Sequence, residues 1–112
     1  RRQDAQDKLM RAAIALLVER GYAGFSTIAV AARAGVSRGA RENYYKTKYD
    51  LLEAAWQAAL TRAETDAQLL ADKILVSSDP VEDFLSSSAS FFLGDDYLAM
   101  LELAMAARTD AR

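Results

Sequence analysis

The sequence predicts an all-α protein, and two observations support that prediction. Apolar residues recur at helical spacing along most of the 112 residues, and 52% of the chain is hydrophobic. No segment shows the strict apolar–polar alternation of a half-buried strand, and neither a repeat nor a low-complexity tract is present. A chain of this length and composition can bury a hydrophobic core.

The first helix is predicted in the segment LMRAAIALLVERGY, residues 9–22, where Gly21 ends it. One side is marked at helical spacing for the core: Leu9, Ala13, Leu16, Leu17 and Arg20, flanked by Met10 and Ile14. A short second helix is predicted over residues 27–34, and we expect it to direct three apolar side chains to the core: Ile28, Val30 and Ala31.

A short, stiff turn is predicted at the residues AGVS, 34–37. Gly35 stands where the second helix must end, because the residue after a helix C-terminus often needs a positive φ. Ser37 can then cap a third helix, since its hydroxyl accepts from an unpaired N–H of the first turn. Two short helices joined in this way are a helix-turn-helix signature, in which the second helix projects and can enter a DNA major groove.

A long helix is predicted to open at Thr47 and Lys48, to continue to Ile74 and to join the two halves of the chain. Its expected core positions recur at helical spacing: Leu51, Leu52, Ala55, Trp56, Ala59, Leu60, Ala63 and Leu70. The residues VSSDP, 76–80, break it, and Asp79 and Pro80 suit the cap and first residue of a helix that runs to about Leu93. A last helix is expected from about Tyr97.

Charge is strongly polarised along the chain, although the formal net charge is only −2. Up to Lys48 there are ten basic and four acidic residues, whereas four basic and twelve acidic residues follow. Because affinity for phosphate depends on the local field, the basic part around the turn is the part expected to face DNA.

These segments resemble the TetR-like (tetracycline-repressor-type) transcriptional regulators. The resemblance is carried by LMRAAIALLVERGY, by STIAVAARAGVSRGA at 26–40 and by YYKTKYDLL at 44–52, and more loosely by LELAMAARTDAR at 101–112. It implies a three-helix, helix-turn-helix DNA-binding domain over residues 1–47. The long helix would join this to a helical ligand-binding and dimerisation domain over residues 48–112, apparently truncated. It also implies double-stranded operator DNA and a small-molecule effector as partners, and a homodimer.

The motif and the resemblance make eight residues candidates for contact with DNA: Thr27, Ser37, Arg38, Gly39, Ala40, Asn43, Tyr44 and Lys48. Arg38 and Lys48 would meet phosphates or a base edge, and Gly39 would let the backbone come close. These residues also have plain structural interpretations. Arg38 and Lys48 could be ordinary surface charges, Gly39 a loose helix start, Ala40 a helix former, Asn43 a surface asparagine and Tyr44 a core aromatic. Thr27 is interpreted as both a cap and a phosphate contact, as in the family, and Tyr45 as core.

Five residues in and after the third helix depart from the family pattern: Arg41, Glu42, Tyr44, Tyr45 and Lys46. The family usually has histidine, phenylalanine and often proline at the last three. Arg41 stands where an apolar residue is usual, and because an unpaired buried charge is costly we expect its side chain to reach out to solvent. Glu42 would be repelled by phosphates, so it either pairs with Arg38 or Arg41 along the helix or points aside. Arg41 and Glu42 favour an alternative function, a helical protein-interaction module that has lost specific DNA binding.

The second half contains four candidate residues for an apolar ligand site, namely Trp56, Phe92, Tyr97 and Met100. Aromatic and methionine side chains at helical spacing are also typical of an ordinary core. Catalysis is not expected, because the chain has no histidine or cysteine and thus lacks the commonest general base, the thiol nucleophile and the usual zinc ligands. No cofactor or metal is predicted. The absence of cysteine and of a long apolar run fits a cytoplasmic protein without membrane association.

Overall fold

The computed structural model describes residues 2–109, which form helices joined by turns without a strand, and this confirms the predicted fold class. Six α-helices follow one another in the described chain: α1 Arg2–Arg20, α2 Thr27–Ala34, α3 Arg38–Tyr44, α4 Lys48–Leu75, α5 Pro80–Phe92 and α6 Asp95–Thr109. A 3-10 turn, Tyr22–Gly24, follows α1. The last three residues of the segment LELAMAARTDAR lie outside the described residues. None of the helices within residues 2–109 has the length and apolarity to cross a bilayer.

Side-chain caps define most helix starts. Ser37 Oγ accepts from the Ala40 N–H at 3.2 Å, and Asp79 Oδ1 accepts from the Glu82 N–H at 3.3 Å, so both predicted caps are confirmed. Thr47 forms a capping box with Asp50 at the start of α4. The cap expected of Thr27 belongs instead to Ser26, whose hydroxyl accepts from the Ala29 N–H at 3.0 Å.

The hydrophobic core lies among α1, α2, the first half of α4 and the middle of α6. Its largest fully buried side chains are Leu9, Leu16, Leu17, Val30 and Leu51, and Ala99 of α6 is 1% exposed within the same cluster. The predicted core positions of α1 are thus confirmed apart from Arg20, which is exposed and keeps its charge in water.

Five further core predictions are wrong, and three of them, Leu60, Ala63 and Leu70 of α4, are only partly buried. Ile28 is 78% exposed, because it lies about 200° around the helix from the buried Val30 and so faces the opposite side. Trp56, expected to be largely buried, is only partly buried, because it lies at the margin between α4 and Leu103 of α6.

Helix α6 packs against both halves of the chain, since it contacts α1 and the 3-10 turn as well as α4. Arg62 of α4 holds its first turn with two hydrogen bonds to Asp96, at 2.8 and 2.7 Å. These bonds raise the pKa of Arg62. The long helix is therefore not the only element that spans both halves. By contrast, α5 has no buried residue, and the α4–α5 side of the molecule exposes several apolar side chains, among them Leu69, Val81, Phe84 and Leu85.

Candidate nucleic-acid interface

Helices α2 and α3 form a helix-turn-helix whose turn is fixed by backbone geometry. Gly35 adopts φ 70° and ψ 31°, the left-handed conformation that the sequence predicts for it. The next N–H, of Val36, donates to the Ala31 carbonyl at 3.0 Å and so closes the end of α2. Ser37 then caps α3. Only three residues, Gly35, Val36 and Ser37, separate the helices, which leaves the direction of α3 little freedom.

An ion pair attaches α2 to α1. The Arg33 guanidinium donates two hydrogen bonds to the Glu19 carboxylate, one of them at 2.7 Å. These bonds lower the pKa of Glu19 and raise the pKa of Arg33. Both side chains are exposed, so the pair adds little to stability. The pair links α2 to α1, the helix that supplies half of the buried core cluster.

Six of the eight candidate DNA contacts lie on α3 and its cap. Ser37, Arg38, Gly39 and Asn43 are exposed, and Ala40 and Tyr44 are half-buried. The Arg38 side chain is 84% exposed, the largest exposure in any ion pair of the described residues. Tyr44 packs against the core cluster and lies 6.4 Å from the ring of Tyr45. Helix α3 therefore presents a cation, a glycine and an amide to the outside.

Gly39 has no structural requirement for glycine. Its φ is not positive, and a Cβ built on it would meet no atom within 4 Å. Glycine within a helix is less stable than alanine by roughly 0.5 to 1 kcal/mol. Within the described residues, nothing packed against Gly39 compensates for that loss.

Arg41 is buried rather than directed to solvent, and it is the one buried charged residue within residues 3–108. It is 5% exposed, and its Nη1 donates to the Tyr45 carbonyl at 3.0 Å and to the Lys46 carbonyl at 2.9 Å. These carbonyls follow the end of α3, where no intrahelical donor remains, and a cation there is favoured. Our expectation was wrong because the backbone supplies partners that the sequence pattern does not reveal. The Nε of Arg41 has no hydrogen-bond partner.

Glu42 is paired along the helix, one of the two arrangements expected for it. Its Oε2 accepts from Arg38 Nε at 3.1 Å and lies 3.9 Å from Arg41 Nη2. The carboxylate thus holds the exposed arginine to the surface of α3. It also reduces the positive charge that this surface presents.

Thr27 and Lys48 lie at the first positions of α2 and α4, away from α3 itself. Thr27 is half-buried beside the cap at Ser26. The Lys48 ammonium lies 4.3 Å from the centre of the Tyr22 ring, a cation–π contact. The sequence pattern did not single out Ser26 or Tyr22, although a serine directly before a helical segment is a recognised cap signal.

The four candidate ligand residues do not share one cavity. A cleft of about 800 Å³ between α4 and α5 includes Phe92 in its wall. Tyr97 contacts the Phe92 ring edge-on at 4.9 Å, whereas Trp56 lines a separate hollow beside Tyr49 and Leu103. Met100 lines neither. Phe84 and Phe91, two further aromatic residues of the pattern in the second half, also wall the cleft. The sequence did not indicate the other lining residues: Asp66, Leu69, Leu70, Lys73, Ser87 and Ser90.

Comparisons with known proteins match the N-terminal region to one family. Residues 9–55 match the model of bacterial regulatory proteins of the tetR family. The chain is 36% identical over 110 residues to the HTH-type transcriptional regulator CymR of Pseudomonas putida, an alignment that covers 98% of this chain and 54% of CymR. It is 30% identical over 113 residues to the HTH-type transcriptional regulator Rv2912c of Mycobacterium tuberculosis, covering 100% of this chain and 57% of that protein.

A solved structure gives the same assignment for the fold. The crystal structure of the multidrug binding protein EbrR complexed with imidazole superposes with a TM-score of 0.63 and 25% sequence identity, over 95% of this chain and 57% of EbrR. The chain spans about half the length of the curated relatives it matches. The likeness extends beyond the helix-turn-helix into α5 and α6.

Proposed function

Because the chain belongs to the TetR-like family of bacterial regulatory proteins, we propose that it is a sequence-specific DNA-binding regulator of transcription. The observation that carries the proposal is the exposed face of α3, on which Arg38 and Asn43 flank a glycine that the fold does not require. Backbone without a side chain at Gly39 lets phosphate or a base edge come within hydrogen-bonding distance. Arg38 would read a base edge, and Thr27, Tyr44 and Lys48 would contact phosphates.

In the proposed function, the protein acts as a dimer in the cytoplasm and represses transcription until a small molecule releases it from operator DNA. One recognition helix reads only a few base pairs, so two helices related by two-fold symmetry are needed for a specific site. The cleft between α4 and α5 is the proposed effector site, because apolar and aromatic walls with a few polar groups are typical of ligand pockets. The effector would act by favouring a state in which the two reading helices are wrongly spaced.

One observation favours the alternative, a helical interaction module that does not bind DNA. Glu42 neutralises Arg38 on the very surface that should meet phosphates. The two functions predict different effects of Glu42→Gln on DNA binding. A DNA-binding protein should bind random duplex more tightly once the carboxylate is removed, most clearly at low salt, whereas an interaction module should show no DNA binding in either form.

Selection from a randomised duplex library, followed by anisotropy titrations at several salt concentrations, tests the proposal. We expect one sequence to be enriched and the logarithm of its binding constant to fall linearly with the logarithm of salt concentration. Arg38→Ala should cost about 1 to 3 kcal/mol and relax the preference at one position. Lys48→Ala should weaken binding to all DNA sequences alike and reduce the slope of the logarithm of affinity against the logarithm of salt concentration by about one. No enrichment, together with no salt-dependent binding, would contradict the proposal.

A further inference from the structure

A carboxylate of α6 contacts the turn that ends α1. The Tyr22 N–H donates to Glu102 Oε2 at 2.8 Å, although 80 residues separate the two in sequence. Gly21, directly before Tyr22, has φ 72°, and a Cβ on it would lie 2.9 Å from the same carboxylate oxygen. Glycine is therefore required here for its backbone conformation, and a side chain at this position would displace the Glu102 carboxylate.

The same tyrosine holds a lysine at the start of α4. The Lys48 ammonium lies 4.3 Å from the centre of the Tyr22 ring. Lys48 and Tyr22 are both half-buried, so the ammonium is confined but still reaches the surface. A lysine side chain has a flexible four-carbon stem, so its ammonium samples many positions. An aromatic ring facing the ammonium favours the positions that keep this contact.

Glu102, for its part, is fixed by the packing of α6. Ala99, three residues earlier on that helix, is 1% exposed in the core, and Asp96 is bonded to Arg62 of α4. A contiguous set of contacts therefore runs from α6 through Tyr22 to the first residue of α4.

We infer that Glu102 and Tyr22 are positioning residues for Lys48. The α6 carboxylate fixes Tyr22, and the Tyr22 ring holds the Lys48 ammonium where a DNA phosphate can reach it. The inference rests on the proposed function, because it assumes that Lys48 contacts phosphate. According to this inference, DNA affinity also depends on the position of α6. The effect passes through the turn after α1 and does not require a movement of α4.

The sign of the effect of Glu102→Ala separates this role from general electrostatics. Removal of a carboxylate makes the protein less acidic, so by charge alone the variant should bind a polyanion as well as before or more tightly. The positioning role predicts weaker binding. Glu64→Ala is the matched control, because Glu64 is an exposed carboxylate on α4 and its loss changes the net charge equally.

The experiment is an anisotropy titration of the full chain against a random-sequence duplex of about 30 base pairs, roughly three helical turns, over a series of salt concentrations. The variants are Lys48→Ala, Glu102→Ala, Glu102→Gln, Tyr22→Leu and Glu64→Ala, with Glu102→Ala and Tyr22→Leu also made in the Lys48→Ala background. The melting temperature of each is measured alongside. Random duplex suffices because phosphate contacts are independent of sequence.

We expect Glu102→Ala and Tyr22→Leu each to weaken binding about 2- to 10-fold and to lower the salt slope, while Glu64→Ala does not weaken it. Glu102→Gln, which keeps an oxygen acceptor for the Tyr22 N–H, should bind within about twofold of the unmodified chain. In the Lys48→Ala background neither substitution should have a further effect, since the group they position is gone.

Three results would overturn the inference. Glu102→Ala binding at least as tightly as Glu64→Ala would show that charge alone decides. An equal loss with and without Lys48 would show that Glu102 only maintains the fold. Unchanged binding by Lys48→Ala, in a protein that still binds DNA with a salt slope, would remove Lys48 from the interface while leaving the proposed function intact.

Discussion

Gly39 is the residue at which the stability of the fold and the proposed function have opposite requirements. No atom lies within 4 Å of the position a Cβ would take, so Gly39→Ala should be accommodated and should raise the free energy of unfolding by about 0.5 kcal/mol. On DNA the added methyl group would meet the approaching backbone or base edge. We therefore expect urea denaturation to show a more stable variant and titration to show weaker DNA binding. A more stable variant with unchanged affinity would mean that this part of α3 does not approach DNA.

Arg41 tests how a buried charge is tolerated at the end of α3. Arg41→Ala removes the donor to the Tyr45 and Lys46 carbonyls and leaves a cavity, so we expect a loss of about 2 to 4 kcal/mol of unfolding free energy. Arg41→Met fills the same space without a desolvated cation, and apolar replacements of buried ion groups are often neutral. It should therefore lie within about 1 kcal/mol of the unmodified chain. Urea denaturation followed by circular dichroism measures both, and equal losses would contradict this account.

Single residues also mark where sequence reasoning succeeded and where it failed. Gly35 and Ser37 were predictable because a positive φ and a helix cap depend on neighbours within a few residues. The burial of Arg41 was not predictable, since its acceptors are backbone carbonyls whose positions depend on how α3 ends. The Glu102 contact to Tyr22 gave no sequence signal, because its partners are 80 residues apart.

Among the elements, the bounds of α2 and α4 were predicted most closely and the start of α1 least, since α1 begins at Arg2, seven residues before the predicted segment. Both ends of α4 are set by neighbouring residues, the cap at Thr47 and the break before Pro80. Its observed range therefore matches the prediction. Helix α6 begins two residues before the predicted Tyr97, at Asp95. Its packing on α1 was not foreseen, because helical periodicity identifies an apolar face without identifying the element that covers it.

Trp56 reports on the contact between α4 and α6. It is the chain's single tryptophan, so its emission comes from one site. Because Trp56 is only partly buried, we expect Trp56→Ala to cost about 1 to 3 kcal/mol, less than the roughly 3 to 5 of a fully buried tryptophan. Chemical denaturation measures the loss, with Trp56→Phe as the variant that keeps an aromatic ring. Emission that is fully solvent-like and unchanged by denaturant would contradict the partly buried position of Trp56 in the hollow that Leu103 also lines.

At the scale of the whole molecule, the distribution of charge along an elongated shape separates the proposed DNA-binding end from the proposed effector-binding end. The chain measures 51 × 36 × 20 Å, and α4 extends along its length for 28 residues. The basic excess belongs to the sequence up to Lys48 and the acidic excess to the remainder. A duplex should thus be attracted to the helix-turn-helix end and repelled by the other. The composition predicted this polarity, but not which side chains the folded chain exposes.

The central claim is that the exposed face of α3, with the first residues of α2 and α4, is the surface that meets DNA. Amide proton–nitrogen correlation spectra of the chain, recorded at low salt while duplex DNA is added, test it most directly. The account predicts that shifted amides concentrate at residues 26–28, 37–44 and 47–49 and that the shifts shrink as salt is added. Shifts that concentrate in α5 and the second half of α4, or no shifts at all at low salt, would contradict it.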